Sequence, residues 1–219
     1  MLELPPGTAF NRRIPKQKFY ENLSVSAELK RLFVEQINVI YWRNKIAPTT
    51  VNIAAGENIS EIEVIEIRLN QSELDKRILQ LIDRGIPYHI LFLLTYKEQV
   101  QAWIGYKELS QSGKSAFKPG TYYNTEWLPM NELSLRLDGL NMDAVYEGFI
   151  RQFAKDRLED KPGGDLKDAV VLDERRQKLL REIAILENKV YREKQFNIQV
   201  ALNADLKRLK QEMEHSCKS

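Results

Sequence analysis

Between Asp168 and His215 the chain contains neither glycine nor proline, and residues that favour helices dominate. A stretch of that length without a breaker commits the C-terminal part of the chain to helix. Within it, Leu179, Ile183, Leu186 and Val190 step by four, three and four residues, which is heptad spacing. Leu202, Leu206, Leu209 and Met213 step by four, three and four again. The two stripes are out of register: sixteen residues separate Leu186 from Leu202, and at ~100° per residue the second stripe is turned by roughly 160°. Either the arm folds back near Glu193–Asn197 as a helical hairpin, or it shows different faces to different partners as a coiled coil. The hairpin is the preferred reading because it buries both stripes together. Burying a Leu-sized side chain is worth ~1.5–3 kcal/mol, so these eight positions form an interaction arm. They close on the arm's own second half, on another copy, or on a different protein.

Upstream, Lys161-Pro162-Gly163-Gly164-Asp165 breaks any element that would cross it. The organisation expected is an α+β core domain over 1–160, a linker over 161–171 and the helical arm over 172–219. In the core, apolar residues near helical spacing predict a helix over 22–46, capped by Ser24 or Ser26. An extended piece over 50–53 follows, and then a strand from Glu61 to Leu69, rich in β-branched residues. A second helix is expected between Ser72 as N-cap and Gly85 as stop, with Asp75 near capping-box position. Tyr88–Thr95 is a continuous apolar strand, turning at Tyr96–Gln99 into a hairpin partner over Val100–Lys107. Tyr122–Leu128 reads as another strand and Asp143–Leu158 as a helix. The fold class is therefore α+β, with a mixed or mainly antiparallel sheet, flanking helices and the helical arm.

Composition removes several chemistries. The one cysteine, Cys217, leaves no disulfide framework, and two histidines, His89 and His215, build no histidine-rich metal site. No metal and no cofactor is expected. The N-terminus has no leader pattern and the longest apolar run, Ile90–Leu94, is far too short for a membrane span, so a cytoplasmic location with no membrane contact is the expectation. The net charge of +2 is segregated. Residues 1–50 carry eight Lys/Arg against four Asp/Glu, residues 173–219 carry eleven against eight, and the middle carries fourteen against nineteen. Basic ends suit weak nucleic-acid contact, docking on the acidic middle, or plain solvation.

Three sets of residues are candidates for chemistry. Glu61, Glu63 and Glu66 share one strand, and Glu66-Ile67-Arg68 has the acid-x-base form of metal-dependent nucleases. Glu63, Glu66 and Arg68 are the catalytic candidates on that reading. Against it, no aspartate lies between Ile46 and Glu61, and an arginine stands where a lysine is usual. The alternative is that these charges line the solvent side or the edge of the strand and discourage edge pairing. Arg12, Arg13, Lys16 and Lys18, four cations in seven residues beside Phe10, Phe19 and Tyr20, suit phosphate contact with stacking. The competing reading is an arm that docks its aromatics on the core and leaves its cations in water. His89 reads as a packed histidine, and Gly113-Lys114-Ser115 lacks the first glycine and the following helix of a phosphate loop.

The segments Asn11–Lys16, Phe19–Asn22, Ile40–Lys45, Gln101–Lys107, Tyr122–Leu128 and Lys194–Asn197 together resemble a bacterial domain-of-unknown-function family of this length. The resemblance spans nearly the whole chain and transfers no catalytic residue. It implies an accessory role beside DNA methyltransferases and helicases of restriction or phage-defence systems. The expected function is thus an accessory or protein-interaction subunit of a DNA-modification or defence complex, docking through its arm on a methyltransferase, a helicase or itself. A divergent metal-dependent nuclease and a free-standing nucleic-acid binder are the alternatives.

Overall fold

The sheet forms where β-branched and aromatic residues are densest, and six of its strands lie side by side in chain order. They are β1 (Ala9–Ile14), β2 (Ile37–Ile46), β3 (Ile62–Leu69), β4 (His89–Tyr96), β5 (Gln99–Glu108) and β6 (Lys118–Asn124). A seventh, β7 (Leu128–Pro129), also pairs with β5. Every pairing is antiparallel except β3–β4, which is parallel. A parallel pair needs a crossover, and the helix α4 (Lys76–Gly85), between the two strands in the chain, supplies it. This computed structural model describes residues 4–21, 25–108, 118–158 and 164–216. The chain divides into two compact units, Met1–Lys155 and Asp156–Ser219.

Strand β3 lies centrally, so alternation along it supplies both faces of the sheet. Ile65, Ile67 and Leu69 join Ile37, Ile40, Ile90, Phe92 and Leu94 in one apolar cluster. Three helices add to that cluster: α1 (Gln17–Glu21) with Phe19, α2 (Ala27–Gln36) with Phe33, and α4 (Lys76–Gly85) with Ile78, Leu81 and Ile82. On the way to β3, α3 (Pro48–Val51) makes a single turn. Later in the chain α5 (Met142–Ala154) packs on β5 and β6, burying Val145, Tyr146, Phe149, Ile150 and Phe153. No helix among the described residues is long and apolar enough to cross a membrane.

Several local expectations are corrected. The helix expected over 22–46 ends at Gln36, and Ile37–Ile46 is strand β2. Its Ile-Asn-Val-Ile-Tyr-Trp run pairs on both sides, and that long-range pairing overrides the local helical spacing. Ser26 caps α2, its side chain accepting from the Leu29 amide at 3.2 Å. The piece over 50–53 is not extended: Pro48 starts the helical turn α3, and Asn52, with φ of 53°, closes it in the left-handed region. Asp75, not Ser72, caps α4. The 122–128 segment is divided between β6 and β7, and α5 stops at Ala154. β3 is not an edge strand, because β2 and β4 flank it; its carboxylates Glu63 and Glu66 are buried, while Arg68 is exposed. Ser24, Gly113-Lys114-Ser115, Lys161-Pro162-Gly163 and Cys217 lie outside the described residues.

In the second unit, α6 (Leu166–Arg192) begins inside the segment read as a linker, capped by Asp165. It folds back onto α7 (Phe196–Ser216) as a helical hairpin. Leu179 and Ile183 are buried, while Leu186, Val190, Leu202, Leu206, Leu209 and Met213 are half-buried. Ion pairs Arg175–Glu212 (3.0 Å) and Lys210–Glu187 (2.7 Å) cross between the helices.

One buried ion pair ties α4 to β5. Lys107 Nζ meets Asp83 Oδ1 at 2.7 Å and donates to the Tyr88 carbonyl at 2.7 Å, while Tyr122 donates its hydroxyl to Asp83 Oδ2 at 2.7 Å. Burial pushes Asp83 up and Lys107 down, and their mutual attraction pulls each back toward its charged form. Gly105 makes room for the cluster: a Cβ there would come within 3.0 Å of the Tyr122 ring and 3.3 Å of Asp83 Oδ2. Lys107→Met, which strands a buried carboxylate, is expected to cost ~3–5 kcal/mol in urea unfolding. The Asp83→Asn/Lys107→Met double variant should regain most of that loss. A single variant as stable as the parent would remove the ion pair from the account of stability.

Candidate functional site

The two-residue period of β3 separates the acidic candidates. Glu63 and Glu66 are three positions apart on a regular strand, so they face opposite sides of the sheet. Arg68 shares its face with Glu66. The structure therefore brings Glu66 and Arg68 together and leaves Glu63 elsewhere, so the two carboxylates do not converge on one ion. Among the described residues, no group of three or more His, Cys, Asp or Glu side chains is placed to hold a metal.

Glu66 lies at the floor of a cleft of about 570 Å³. Its carboxylate accepts from Arg43 Nε on Oε2, from Arg68 Nε on Oε1 at 2.8 Å, and more weakly from the Thr95 hydroxyl at 3.3 Å. The bond to Glu66 also pushes the Arg68 pKa up. Both guanidinium groups lie over the Tyr41 ring, at 4.6 and 5.0 Å from its centroid. Arg43 reaches this face through a β-bulge. The register passes from Trp42 opposite Ile65 to Asn44 opposite Val64, which leaves Arg43 as the extra residue. Arg43 and its neighbour Asn44 then both line the cleft. Arg43 Nη1 donates to Asn11 Oδ1 at 3.1 Å, and Asn44 donates to the Thr8 hydroxyl at 2.8 Å. Asn11, with φ of 49°, sits at the irregular step where β1 joins β2. Leu4, Pro5, Pro6, Met130 and Leu133 form the apolar walls.

On the opposite face Glu63 borders a second hollow, of about 460 Å³, with Lys18, Phe19, Trp42 and Tyr88. Glu63 is 2% exposed. Neither of its oxygens, nor the indole nitrogen of Trp42, has a well-formed hydrogen bond among the described residues. Burial, with the charge of Glu61 beside it, pushes the Glu63 carboxyl up to about 8; the Trp42 indole and Lys45 pull weakly the other way. Burial that disfavours the carboxylate form works against metal ligation at Glu63.

The four basic candidates are dispersed. Arg12 lies over the Phe10 ring, which packs on Trp42 at 4.1 Å. Arg13 is in register with Tyr41. Lys16 donates to the Ile37 carbonyl at 2.6 Å, and burial together with Arg13 lowers its pKa. Lys18 lines the second hollow. The neighbouring aromatics are engaged too, since Phe19 is buried and Tyr20 meets Phe33 edge-on at 5.6 Å. His89 is buried against Tyr146 at 4.6 Å, and burial and Lys107 push its pKa down to about 4. Of the eight arm positions in the second unit, Leu179 and Ile183 are buried and the other six half-buried. Sequence reasoning missed Tyr41, Arg43, Asn44 and Thr95, and only the β-rich composition of 37–46 carried a signal for the first three.

The family model described as a domain of unknown function (DUF4391) matches residues 2–213. No curated protein and no solved structure matches the chain.

The Glu63 carboxyl makes stability depend on pH. Its folded pKa, about 8, stands above the ordinary 4.5, so between those values the native state holds a proton that the unfolded chain has released. Stability from this group is full below the lower value and falls as pH rises through the upper one, by at most ~1.4 kcal/mol per pH unit. Glu63→Gln, uncharged throughout, should flatten that fall in urea unfolding between pH 5 and pH 8.5. Parallel curves for parent and variant would mean that Glu63 is ionised in the native protein.

Proposed function

The chain belongs to this family, and from that premise we propose that it is a non-catalytic interaction protein, an accessory subunit of a DNA-modification or phage-defence assembly that docks through its helical hairpin. The observation that carries the reading is the apolar surface left outside the hairpin seam. Tyr191 and Phe196 flank the turn and are 88% and 75% exposed, and Ile185 and Val200 are exposed near them. Aromatic groups held in water at the tip of a rigid hairpin fit anchors for a partner's pocket, since such residues dominate binding energy at interfaces. The seam residues serve a different purpose: they close the hairpin and so preorganise its outer surface. The methyltransferase or helicase setting is supported by the sequence resemblance alone. Contact between two copies through the same surface, a coiled coil of hairpins, is the other form that docking takes. The non-catalytic part rests on Glu66, whose two oxygens are both occupied by arginines.

The test is co-expression of the full chain with the methyltransferase and helicase subunits of its own system, followed by size exclusion with light scattering. A stable complex is expected. Tyr191→Ser and Phe196→Ser should each weaken it by roughly 10- to 100-fold, as the loss of one buried aromatic implies. Because both side chains are exposed in the free chain, thermal unfolding should not change. Self-association lost in the same variants would favour the contact between copies. A chain that stays monomeric beside every candidate subunit would sink the docking role.

A further inference from the structure

The Glu66 cleft has the parts of an anion receptor, independently of the helical hairpin. Glu66 is 5% exposed and spends its carboxylate on the Nε atoms of Arg43 and Arg68. Gripping both groups by their Nε side leaves the outer nitrogens free. Arg43 Nη2 and both Nη atoms of Arg68 have no hydrogen-bond partner among the described residues. The Asn11 amide accepts from Arg43 on its oxygen, which leaves its NH₂ as a further donor. The Tyr41 ring beneath both guanidinium planes limits their rotation. Two cations held in one place, with donors unspent, bind an oxyanion with little reorganisation.

Charge bookkeeping points the same way. Among the described residues that line the cleft, Glu66 is the one acidic side chain, against two arginines. Arg13, opposite Tyr41 in the β1–β2 register and exposed, adds a cation on the same face. The cluster therefore keeps an uncompensated positive charge next to water. Arg68, whose side chain is 48% exposed, is its most accessible member. Above this floor the walls are apolar, formed by Pro5, Pro6, Met130 and Leu133. A ligand that fits carries an anionic group at one end and a flat or apolar body at the other.

We propose that this cleft is a phosphate-binding site for nucleotide chemistry: Arg43 and Arg68 take the phosphate in their outer guanidinium nitrogens, Asn11 adds an amide donor, and the proline-methionine wall covers the attached nucleoside. Glu66 is a positioning residue, since it sets the two forks and does not touch the ligand. The phosphate belongs either to a free mononucleotide or to a nucleic-acid strand, which share the chemistry the site reads.

The full-length chain is titrated at low salt with three probes: adenosine 5′-monophosphate, a fluorescein-labelled 12-nucleotide single strand and the corresponding duplex. Calorimetry reads the first and anisotropy the others. Arg43→Gln and Arg68→Gln should each weaken the bound probe by at least about tenfold, the loss expected for a charge-assisted bidentate contact. Arg68→Lys keeps the charge and loses the fork, so it should weaken binding several-fold as well. Arg12→Gln, on the Phe10 side of the strand, should leave it unchanged. Thermal unfolding of Arg68→Gln, at a half-exposed position, reports whether the fold is kept; if Arg43→Gln fails to fold, the two Arg68 variants decide the matter. A monophosphate bound as tightly as the strands identifies the free nucleotide. Strands bound at least tenfold tighter identify nucleic acid, with a slope of log K against log salt that drops by about 0.7–0.9 per lost phosphate contact. Absence of binding for all three probes, or binding that Arg43→Gln and Arg68→Gln leave intact, overturns the assignment.

Discussion

The parallel pairing of β3 with β4 is the constraint on which the first unit depends. It makes β3 an interior strand, paired with β2 on its other side, and every residue of it but Arg68 is buried. Ile62, Val64, Ile65 and Ile67 accept that position without cost, because burial is what they contribute. Glu63 and Glu66 do not, and the strand's two-residue period sends one to each face. Much of the local chemistry consists of the different ways in which these carboxyls are accommodated.

Three solutions to a buried acid appear in the first unit, two on β3 and one on α4. Glu63 is pushed toward its protonated form by burial and by the charge of Glu61, since an unpaired carboxylate there costs more than a held proton. Glu66 keeps its place by recruiting two guanidinium groups and a hydroxyl. Asp83 takes one ammonium and one phenol and is closed off from solvent with them. Only the second leaves donors facing an open cleft. Burial alone therefore does not distinguish a binding site from a structural pair. The number of hydrogen-bond donors left over after internal pairing does.

The elements legible in the sequence are those whose local and long-range preferences agree. Strand β4 is apolar at successive positions and buried on both sides, and the stripes of α6 and α7 are turned apart as a hairpin requires. Ile37–Ile46 was illegible as a strand because its apolar residues also fit a helical stripe, and only pairing with β1 and β3 decides between the two. That one ambiguity hid most of the cleft, since Tyr41, Arg43 and Asn44 all come from β2. Glu66 and Arg68 were visible as a motif because they are two residues apart on a clear strand. Their partner was not, because Arg43 stands 23 residues before Glu66 and meets it through a bulge that no local spacing encodes. Arg12 and Arg13 part because β1 alternates, and Lys16 and Lys18 lie beyond its end, Lys18 already in α1.

An arginine at position 68 bears directly on what the cleft can do. A metal-assisted hydrolase needs carboxylate oxygens with free lone pairs and a nearby amine able to help move a proton. Arginine remains charged at any ordinary pH and offers donors only, so it cannot take up the proton of an attacking water. Once two arginines have engaged both oxygens of Glu66, a divalent cation entering there would replace two charge-assisted hydrogen bonds and face two guanidinium charges at close range. The same arrangement favours an anion that arrives with its own charge, since it adds bonds without breaking any. A strand position that resembles half of a catalytic motif in sequence thus carries, once folded, a carboxylate already paired with two arginines.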